Sequence, residues 1–139
     1  SMQARDEVTA FYLAQEAVEY VRNIRDQNSI RGLGWMSGID VLNGGPCNDT
    51  TFCYINVPDD DISACSGTCP FIKQDTVSGS STYGMYGYNG SWSSTKFIRS
   101  AMVYRVNANE VLLEVVVNWD NPSVSRSFVV KESLFNWQP

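Results

Sequence analysis

The stretch that decides the fold is ARDEVTAFYLAQEAVEYVRNIRDQN, residues 4–28, which is the longest helix-periodic segment of the chain. Its apolar residues recur in steps of three or four, and this spacing places them on one face of an α-helix. Two adjacent rows make that face wide enough to pack against a sheet. The first row contains Val8, Phe11, Ala14, Val18, Val21 and Ile24, and the second contains Leu13, Ala17, Tyr20 and Ile24. The sequence therefore predicts one long helix, half buried by the rest of the chain.

The length of 139 residues indicates a single domain, residues 1–139, that is large enough for a sizeable core. The net charge of -5 and the pI near 4.5 argue against nucleic-acid binding through a basic groove. The sequence as given has no run of about 18 apolar residues, so it predicts no membrane-spanning helix. We interpret residues 1–2 as a tag remnant, 3–28 as the helix, 29–95 as a variable region of loops and hairpins, and 96–139 as an antiparallel meander.

Four cysteines, Cys47, Cys53, Cys65 and Cys69, lie within one short segment. Their spacing lacks the C-x2-C pairs that zinc sites favour, so we expect two disulfide bonds rather than a metal site. Disulfide bonds indicate an oxidising compartment outside the cytoplasm. Three pairings are possible, and the sequential one, Cys47 with Cys53 and Cys65 with Cys69, needs the shortest loop closures.

Between the helix and the cysteines, a glycine-rich connector carries Trp35, which we expect to pack back onto the helix. Residues 52–57 are expected to form a short strand that ends at Pro58. An acidic run, Asp59, Asp60 and Asp61, follows. Calcium prefers oxygen ligands, which makes the run a weak candidate calcium site. No EF-hand pattern is present, so a solvated turn is the favoured interpretation.

Residues 76–95 are rich in serine, glycine and tyrosine. Four aromatic residues in this segment, Tyr83, Tyr86, Tyr88 and Trp92, resemble the composition of adaptable binding loops, and we treat them as a candidate partner surface. The same segment contains Asn89-Gly90, a strong signal for a two-residue hairpin turn. We therefore predict a β-hairpin whose aromatic side chains cover the sheet, an arrangement compatible with a binding surface.

The last third of the chain reads as three strands, residues 97–106, 111–119 and 124–137, joined by short turns. Short connections between consecutive strands require an antiparallel meander. Its apolar face is the expected cover for the helix. In the first strand that face would carry Ile98, Met102, Tyr104 and Val106, with Arg99 and Arg105 opposite. In the other two it would carry Val111, Leu113, Val115, Val117, Trp119, Phe128 and Val130.

The chain contains no histidine, which removes the commonest general base and the commonest metal ligand. It therefore has no Ser-His or Cys-His nucleophile pair, and it lacks the glycine-rich nucleotide-binding motifs and HExxH. Glu16 and Glu19 are a possible carboxylate pair, but the helical pattern places both on the solvent side. We expect neither enzymatic activity nor a cofactor.

The helix also carries a resemblance to a known family. Residues 10–28, with LAQE at 13–16 and VRNIRD at 21–26, resemble the segment that closes the long N-terminal helix of type IV pilin-like proteins, particularly minor pilins. The C-terminal pattern is similar as well, with VVVNW at 115–119 and a closing Asn-Trp at 136–137. The cysteine-bearing and tyrosine-rich middle of the chain matches no motif of that family.

The resemblance implies an α+β fold of the pilin type, in which a long N-terminal helix packs against an antiparallel sheet beside a long disulfide-stapled loop region. It also implies that the given sequence is a truncated head domain. The missing upstream part would hold a cleaved leader, an N-methylated terminus and an apolar half-helix. That half-helix would anchor the subunit in the inner membrane before assembly and pack in the filament core afterwards.

The function implied by the resemblance is that of a major or minor pilin, a structural subunit of a cell-surface pilus contributing to adhesion, surface motility or DNA uptake. Its partners would be other pilin subunits and the membrane, with a surface ligand as a further possibility. We assign Arg5, Val8, Phe11, Val18 and Val21 to the helix face involved in assembly. Two alternatives stay open: a pseudopilin of a type II secretion system, and an extracellular module that binds a ligand through the tyrosine-rich loops.

Overall fold

A computed structural model of the chain describes residues 2–40 and 44–136. These residues form one helix, α1, followed by seven strands. Their bounds are α1 Met2–Ile30, β1 Cys53–Asn56, β2 Asp61–Ala64, β3 Phe71–Gln74, β4 Tyr86–Gly87, β5 Ser93–Asn107, β6 Glu110–Asn121 and β7 Val124–Phe135. The predicted helix is confirmed and is slightly longer at both ends than its apolar periodicity indicated.

The helix ends where its last carbonyls find backbone partners. The amide of Gly32 donates to the carbonyl of Ser29 at 3.3 Å, and the amide of Leu33 donates to Asn28 at 2.9 Å. Gly32 has a φ of 73°, the left-handed conformation that this type of helix end requires. The side-chain amide of Asn28 then donates to the carbonyl of Trp35 at 3.1 Å, which fixes the start of the connector against the helix.

The apolar residues in the middle of the helix are buried against the rest of the protein. In the part of the chain that the structure describes, no helix combines the length and the hydropathy needed to span a membrane.

All strand pairs of the sheet are antiparallel, and β5 is its centre. The predicted meander β5-β6-β7 is confirmed and occupies one side of β5. On the other side, β3 pairs with the beginning of β5, and β1 pairs with it at Ala101. The strands β4 and β2 lie outside β3 and β1 respectively. The prediction for the third strand extended to Trp137, which lies outside the described residues.

The α+β fold class implied by the resemblance is wrong. Strand residues make up 42% of the structure and helix residues 22%, so the chain is mostly β, with one helix on a seven-stranded antiparallel sheet. The difference arises between residues 53 and 87, which were expected to be loops apart from one short strand and a hairpin. There, four strands of two to four residues join the sheet. Strands this short show too little alternation to be recognised in a sequence.

One hydrophobic cluster lies between α1 and the sheet. Every residue of the predicted inward row of β6 is buried: Val111, Leu113, Val115, Val117 and Trp119. The connector closes one end of the cluster, because the Trp35 side chain is buried there, as predicted, and donates its indole N–H to the carbonyl of Ala108 at 3.2 Å. Val18 and Val21 of the helix belong to the same cluster.

The predicted inward face of β5 is the wrong one. The buried residues are Phe97, Arg99, Ala101 and Val103, whereas Ile98, Met102, Tyr104 and Val106 lie on the opposite face. Both rows of this strand are largely apolar, so alternation alone could not decide between them. Arg99 can face the core because its guanidinium group donates hydrogen bonds to acceptors on the helix.

The predicted helix face is confirmed from Leu13 onward, where Ala14, Val18 and Val21 are buried, and is wrong at its beginning. Val8 is 69% exposed and Phe11 is also exposed, although both belonged to the apolar row expected to be buried. Ala10, which the prediction did not include, is completely buried instead, on the same side of the helix as the predicted Ala14 and Ala17. Small side chains at these three positions allow the helix to approach the sheet closely.

The two disulfide bonds follow the sequential pairing, Cys47 with Cys53 and Cys65 with Cys69. The first ties the connector to the start of β1, and the second closes the loop between β2 and β3. The strand expected at residues 52–57 is confirmed as β1.

The hairpin predicted at Asn89-Gly90 does not form, because β4 pairs with β3 rather than with β5. A turn is present at the predicted place. The amide of Trp92 donates to the carbonyl of Asn89 at 3.1 Å, and the Asn89 side chain accepts from the amide of Ser91 at 2.9 Å. The turn signal was correct, and the pairing inferred from it was wrong.

Candidate assembly surface on the helix

The first half of α1 exposes three large apolar side chains that lie next to each other. Val8, Phe11 and Tyr12 are each more than half exposed. Residues separated by three or four positions share one side of a helix, so these three form a continuous strip. We call this the apolar strip, Val8–Phe11–Tyr12. Large apolar groups that are exposed together are a typical mark of an interaction surface.

Two aromatic residues of the sheet contact the rings of the apolar strip. The ring of Phe11 packs edge-on against Phe128 of β7, with a centroid distance of 5.8 Å. The ring of Tyr12 lies 6.0 Å from that of Tyr86 on β4. Partial burial and the neighbouring carboxylate of Glu16 raise the pKa of Tyr12, so its hydroxyl stays protonated at neutral pH. The strip is therefore held in place by aromatic contacts at its base.

The strip is flanked by charges. Arg5 and Glu7 are exposed on the first turns of the helix. Between them Asp6 is buried and accepts a hydrogen bond from Nζ of Lys96 at 2.6 Å. This ion pair fixes the beginning of the helix to the beginning of β5. Nothing in the sequence spacing indicated it.

Arg99 fixes the middle of the helix to the sheet. Its side chain is 1% exposed, and Nη1 donates to the carbonyl of Leu13 at 3.0 Å and to Oε1 of Glu16 at 2.7 Å. Nη2 donates to the carbonyl of Ile55 at 2.6 Å. One guanidinium group thus connects α1, β5 and β1. It also corrects the expectation that Glu16 is only a solvent-side charge.

A second arginine connects the helix to the edge of the sheet. Arg22 pairs with Glu19, three residues before it on the helix, and also with Glu132 of β7. The other carboxylate oxygen of Glu132, Oε2, is buried and has no hydrogen-bond partner among the described residues. Through Asp6, Arg99 and Arg22, the helix is held at three points along its length.

The structure separates the residues that the sequence grouped on the helix. Arg5, Val8 and Phe11 are exposed and remain candidates for an assembly surface. Val18 and Val21 are buried against the sheet and are therefore not accessible to a partner. Tyr12 was not singled out by the apolar periodicity, although its position four residues after Val8 could have revealed it.

The four aromatic residues proposed as a partner surface have different environments. Tyr83 is exposed and Trp92 is partly exposed, whereas Tyr86 packs against the helix. Tyr88 lies beside Tyr54, with ring centroids 4.7 Å apart, and burial raises the pKa of its hydroxyl. The buried hydroxyl of Tyr88 cannot reach a partner, so the four residues do not act as one surface.

Asp75 holds the loop that carries Tyr83. Its Oδ2 accepts from the hydroxyls of Ser80 and Thr82, each at 2.6 Å, and its Oδ1 accepts from the amide of Val77 at 3.0 Å. These hydrogen bonds lower the pKa of the Asp75 carboxyl group. Asp75 was not among the residues predicted from the sequence, although an Asp that precedes a run of Ser and Thr is a recognisable turn signal.

The acidic run does not converge on a common point. Asp60 accepts from the hydroxyl of Tyr20 at 2.7 Å, Asp59 from Asn56 at 3.0 Å, and Asp61 from Ser63 at 2.9 Å. Across residues 2–40 and 44–136, no three His, Cys, Asp or Glu side chains are placed to hold a metal ion. The run serves instead to connect the turn after β1 to the helix through Tyr20.

The Tyr20 contact predicts a loss of stability in alkali. Burial, and then the hydrogen bond to Asp60, raise the pKa of Tyr20 in the folded protein. In the unfolded chain that pKa is about 10, so the stabilisation is complete below about pH 10 and is lost as the pH rises towards the folded value. We expect Tyr20→Phe to reduce the fall in melting temperature between neutral and alkaline pH. Tyr83→Phe, at an exposed site, is the control and should leave the fall unchanged; an equal effect of both would contradict the prediction.

Comparison with known proteins gives no relative from which a function could be transferred. No family model, no curated protein and no solved structure matches the chain.

Proposed function

We propose that this chain is a structural subunit of a filament of the type IV pilus class, and that it assembles through the first half of α1. The observation that carries the proposal is the exposed apolar strip Val8–Phe11–Tyr12 on a helix whose remaining length is fixed to the sheet. The resemblance of residues 10–28 to the pilin helix supports it. The two disulfide bonds are consistent with a location outside the cytoplasm.

The apolar strip has the properties that an assembly contact needs. Complete burial of one exposed large apolar side chain contributes about 1.5–3 kcal/mol. The three side chains of the strip are each more than half exposed, so burying them contributes roughly half or more of that figure per residue to a contact between helices. The strip loses little conformational freedom on binding, because Arg99 and the ring of Phe128 already fix the helix beneath it. A second contact of the same kind on each subunit would extend the assembly into a filament.

The charges beside the strip provide selectivity. Arg5 and Glu7 are exposed and of opposite sign, so a neighbouring helix can pair with them in a limited number of registers. Surface charges contribute little to affinity, but a wrong register brings like charges together. We therefore assign the affinity to the apolar strip and the choice of register to Arg5 and Glu7.

The experiment that tests this function is a Val8→Asp substitution in the full-length gene of the native cell. Because Val8 is exposed, the variant should fold and accumulate normally, whereas the buried charge in the contact should abolish filaments. Electron microscopy of the cell surface measures the filaments, and immunoblotting measures the subunit. Val106→Asp, at a valine that is 56% exposed on the sheet, is the matched control and should assemble. Normal filaments from Val8→Asp cells would refute the proposal.

A further inference from the structure

One long edge of the strand β7 pairs with no other strand in the described part of the chain. It forms 12 consecutive pairs with β6, without a bulge, from Val124 opposite Asn121 to Phe135 opposite Glu110. Among the described strands, β6 is its only partner. The free edge therefore presents a regular row of backbone amide and carbonyl groups, and such a row is a template for another strand.

Proline and bulges, two of the usual protections of an edge strand, are missing from β7, although the strand carries three charged residues, Arg126, Lys131 and Glu132. Its sequence, VSRSFVVKESLF, contains no proline or glycine, and its pairing shows no irregularity. Lys131, the residue type that most often blocks edges, is placed over the sheet and pairs with Glu114 at 3.6 Å. Val129, at the middle of the strand, is 47% exposed.

We propose that this edge pairs with the same edge of a second copy of the chain, antiparallel and with the two-fold axis at Val129. Directly opposed residues in an antiparallel pair lie on the same face of a sheet. A two-fold axis perpendicular to the sheet keeps both helices on one face. Such an axis lies between the two strands, midway between the two copies of one residue.

The charges select Val129 as that residue. With the axis there, Arg126 of one copy stands opposite Glu132 of the other, and Phe128 stands opposite Val130. Moving the axis to the next residue in either direction separates Arg126 from Glu132, and an axis at Val130 places Glu132 against Phe128. Opposed ions of opposite sign stabilise a strand pair, whereas a carboxylate opposed to an aromatic ring does not.

Arg126 has capacity for a further partner, because it is exposed and makes no ion pair among the described residues. Glu132 pairs with Arg22, and its side chain is 28% exposed. Its Oε2 is buried and has no hydrogen-bond partner among the described residues, so the Glu132 side chain must turn towards the edge to reach Arg126 of the other copy. The self-pairing therefore adds backbone hydrogen bonds along the edge and two Arg126–Glu132 ion pairs, one on each side of the axis.

Sedimentation velocity of the purified chain over about a hundredfold range of concentration tests the dimer, because self-association depends on concentration. We expect a reversible monomer–dimer equilibrium that Val129→Lys weakens about tenfold or more, since two lysines then face each other at the axis. Val106→Lys, an exposed valine on β5, is the matched control and should dimerise normally. A wild-type chain that stays monomeric, or equal behaviour of the two lysine variants, overturns the proposal.

The register is tested by single cysteine variants. Val129→Cys should form a covalent dimer under mild oxidation, because the two new thiols face each other at the axis. Ser127→Cys should not, because Ser127 faces Lys131 of the other copy. A crosslink through residue 127, or none through residue 129, refutes this register. The dimer contact excludes Val8, so Val8→Asp should dimerise normally, which separates a failure of this inference from a failure of the proposed function.

Discussion

A Val18→Asp substitution is expected to unfold the protein. Val18 is 1% exposed and lies in the apolar cluster between α1 and the sheet, and Arg22, one helical turn further on, already pairs with Glu19 and Glu132. Burial of an unpaired charge costs on the order of several kcal/mol. The total stability of a domain of this size is about 5–15 kcal/mol, so one such substitution removes a large part of it. Most of the chain should then be unfolded or aggregated at room temperature.

The matched control is the same substitution at another valine of the same helix. Val8→Asp adds an identical charge at an exposed position, where most substitutions change stability by less than about 0.5 kcal/mol. Thermal denaturation followed by circular dichroism compares both variants with the native chain. Val8→Asp should melt at nearly the native temperature. A native melting temperature for Val18→Asp would show that the helix does not pack on the sheet through this face.

The contrast between these valines also shows what periodicity can predict. Both occur in one apolar row of the sequence, and both were expected to be buried. Periodicity identifies a helix and its apolar rows, but it does not tell how far the sheet extends beneath them. The sheet covers the row that contains Ala10 and Leu13, and leaves Val8 in solvent.

The strands differ in how well their sequences identify them. In β6, apolar residues alternate with Glu114 and Asn118, so the buried face was predicted correctly. In β5 both faces are apolar, and the charged Arg99 lies on the buried one. The prediction failed there because the charge of Arg99 is compensated by Glu16, a residue 83 positions away in the chain. A long-range ion pair of this kind leaves no periodic signal.

The short strands between residues 53 and 87 could not be predicted for a different reason. The two residues of β4 are a strand only because β3 lies beside them. Likewise, Asn89-Gly90 correctly indicated a turn, but a turn does not determine which strand the following residues pair with. The disulfide pairing was accessible to sequence reasoning because short loop closures favour it. The apolar strip was predicted in part, because Val8 and Phe11, but not Tyr12, were assigned to the assembly face from the sequence.

Loss of the Arg99 side chain is also expected to destabilise the protein strongly, because this buried residue links the helix to the sheet. Arg99→Met keeps the length of the side chain and removes its five donors. The carbonyl groups of Leu13 and Ile55 and the carboxylate of Glu16 would then lose their partner. Breaking a buried ion pair in this way costs about 3–5 kcal/mol. Because Glu16 is partly exposed, we expect the lower end, about 3 kcal/mol, or roughly a 10 °C fall in melting temperature.

The Arg99→Lys variant separates the role of the charge from that of the geometry. Lysine retains the positive charge but cannot reach three acceptors in the fork arrangement of a guanidinium group, so its loss of stability should be intermediate. Arg5→Met is the control. It makes the same substitution at an exposed arginine of α1 and should change stability by less than about 0.5 kcal/mol.

A double-mutant cycle with Glu16→Gln then measures the ion pair itself. If the pair couples α1 to β5, Arg99→Met and Glu16→Gln should destabilise the protein together by less than the sum of their separate effects, because the second change removes a charge that the first has left unpaired. Urea denaturation of the four proteins gives each free energy of unfolding. Strict additivity would show that the carbonyl groups of Leu13 and Ile55, rather than the carboxylate, account for the stabilisation by Arg99. Arg99 would then attach the helix to the sheet through the backbone carbonyl of Leu13. The position of the exposed apolar strip would depend on the contact with Ile55 of β1 as much as on β5 itself.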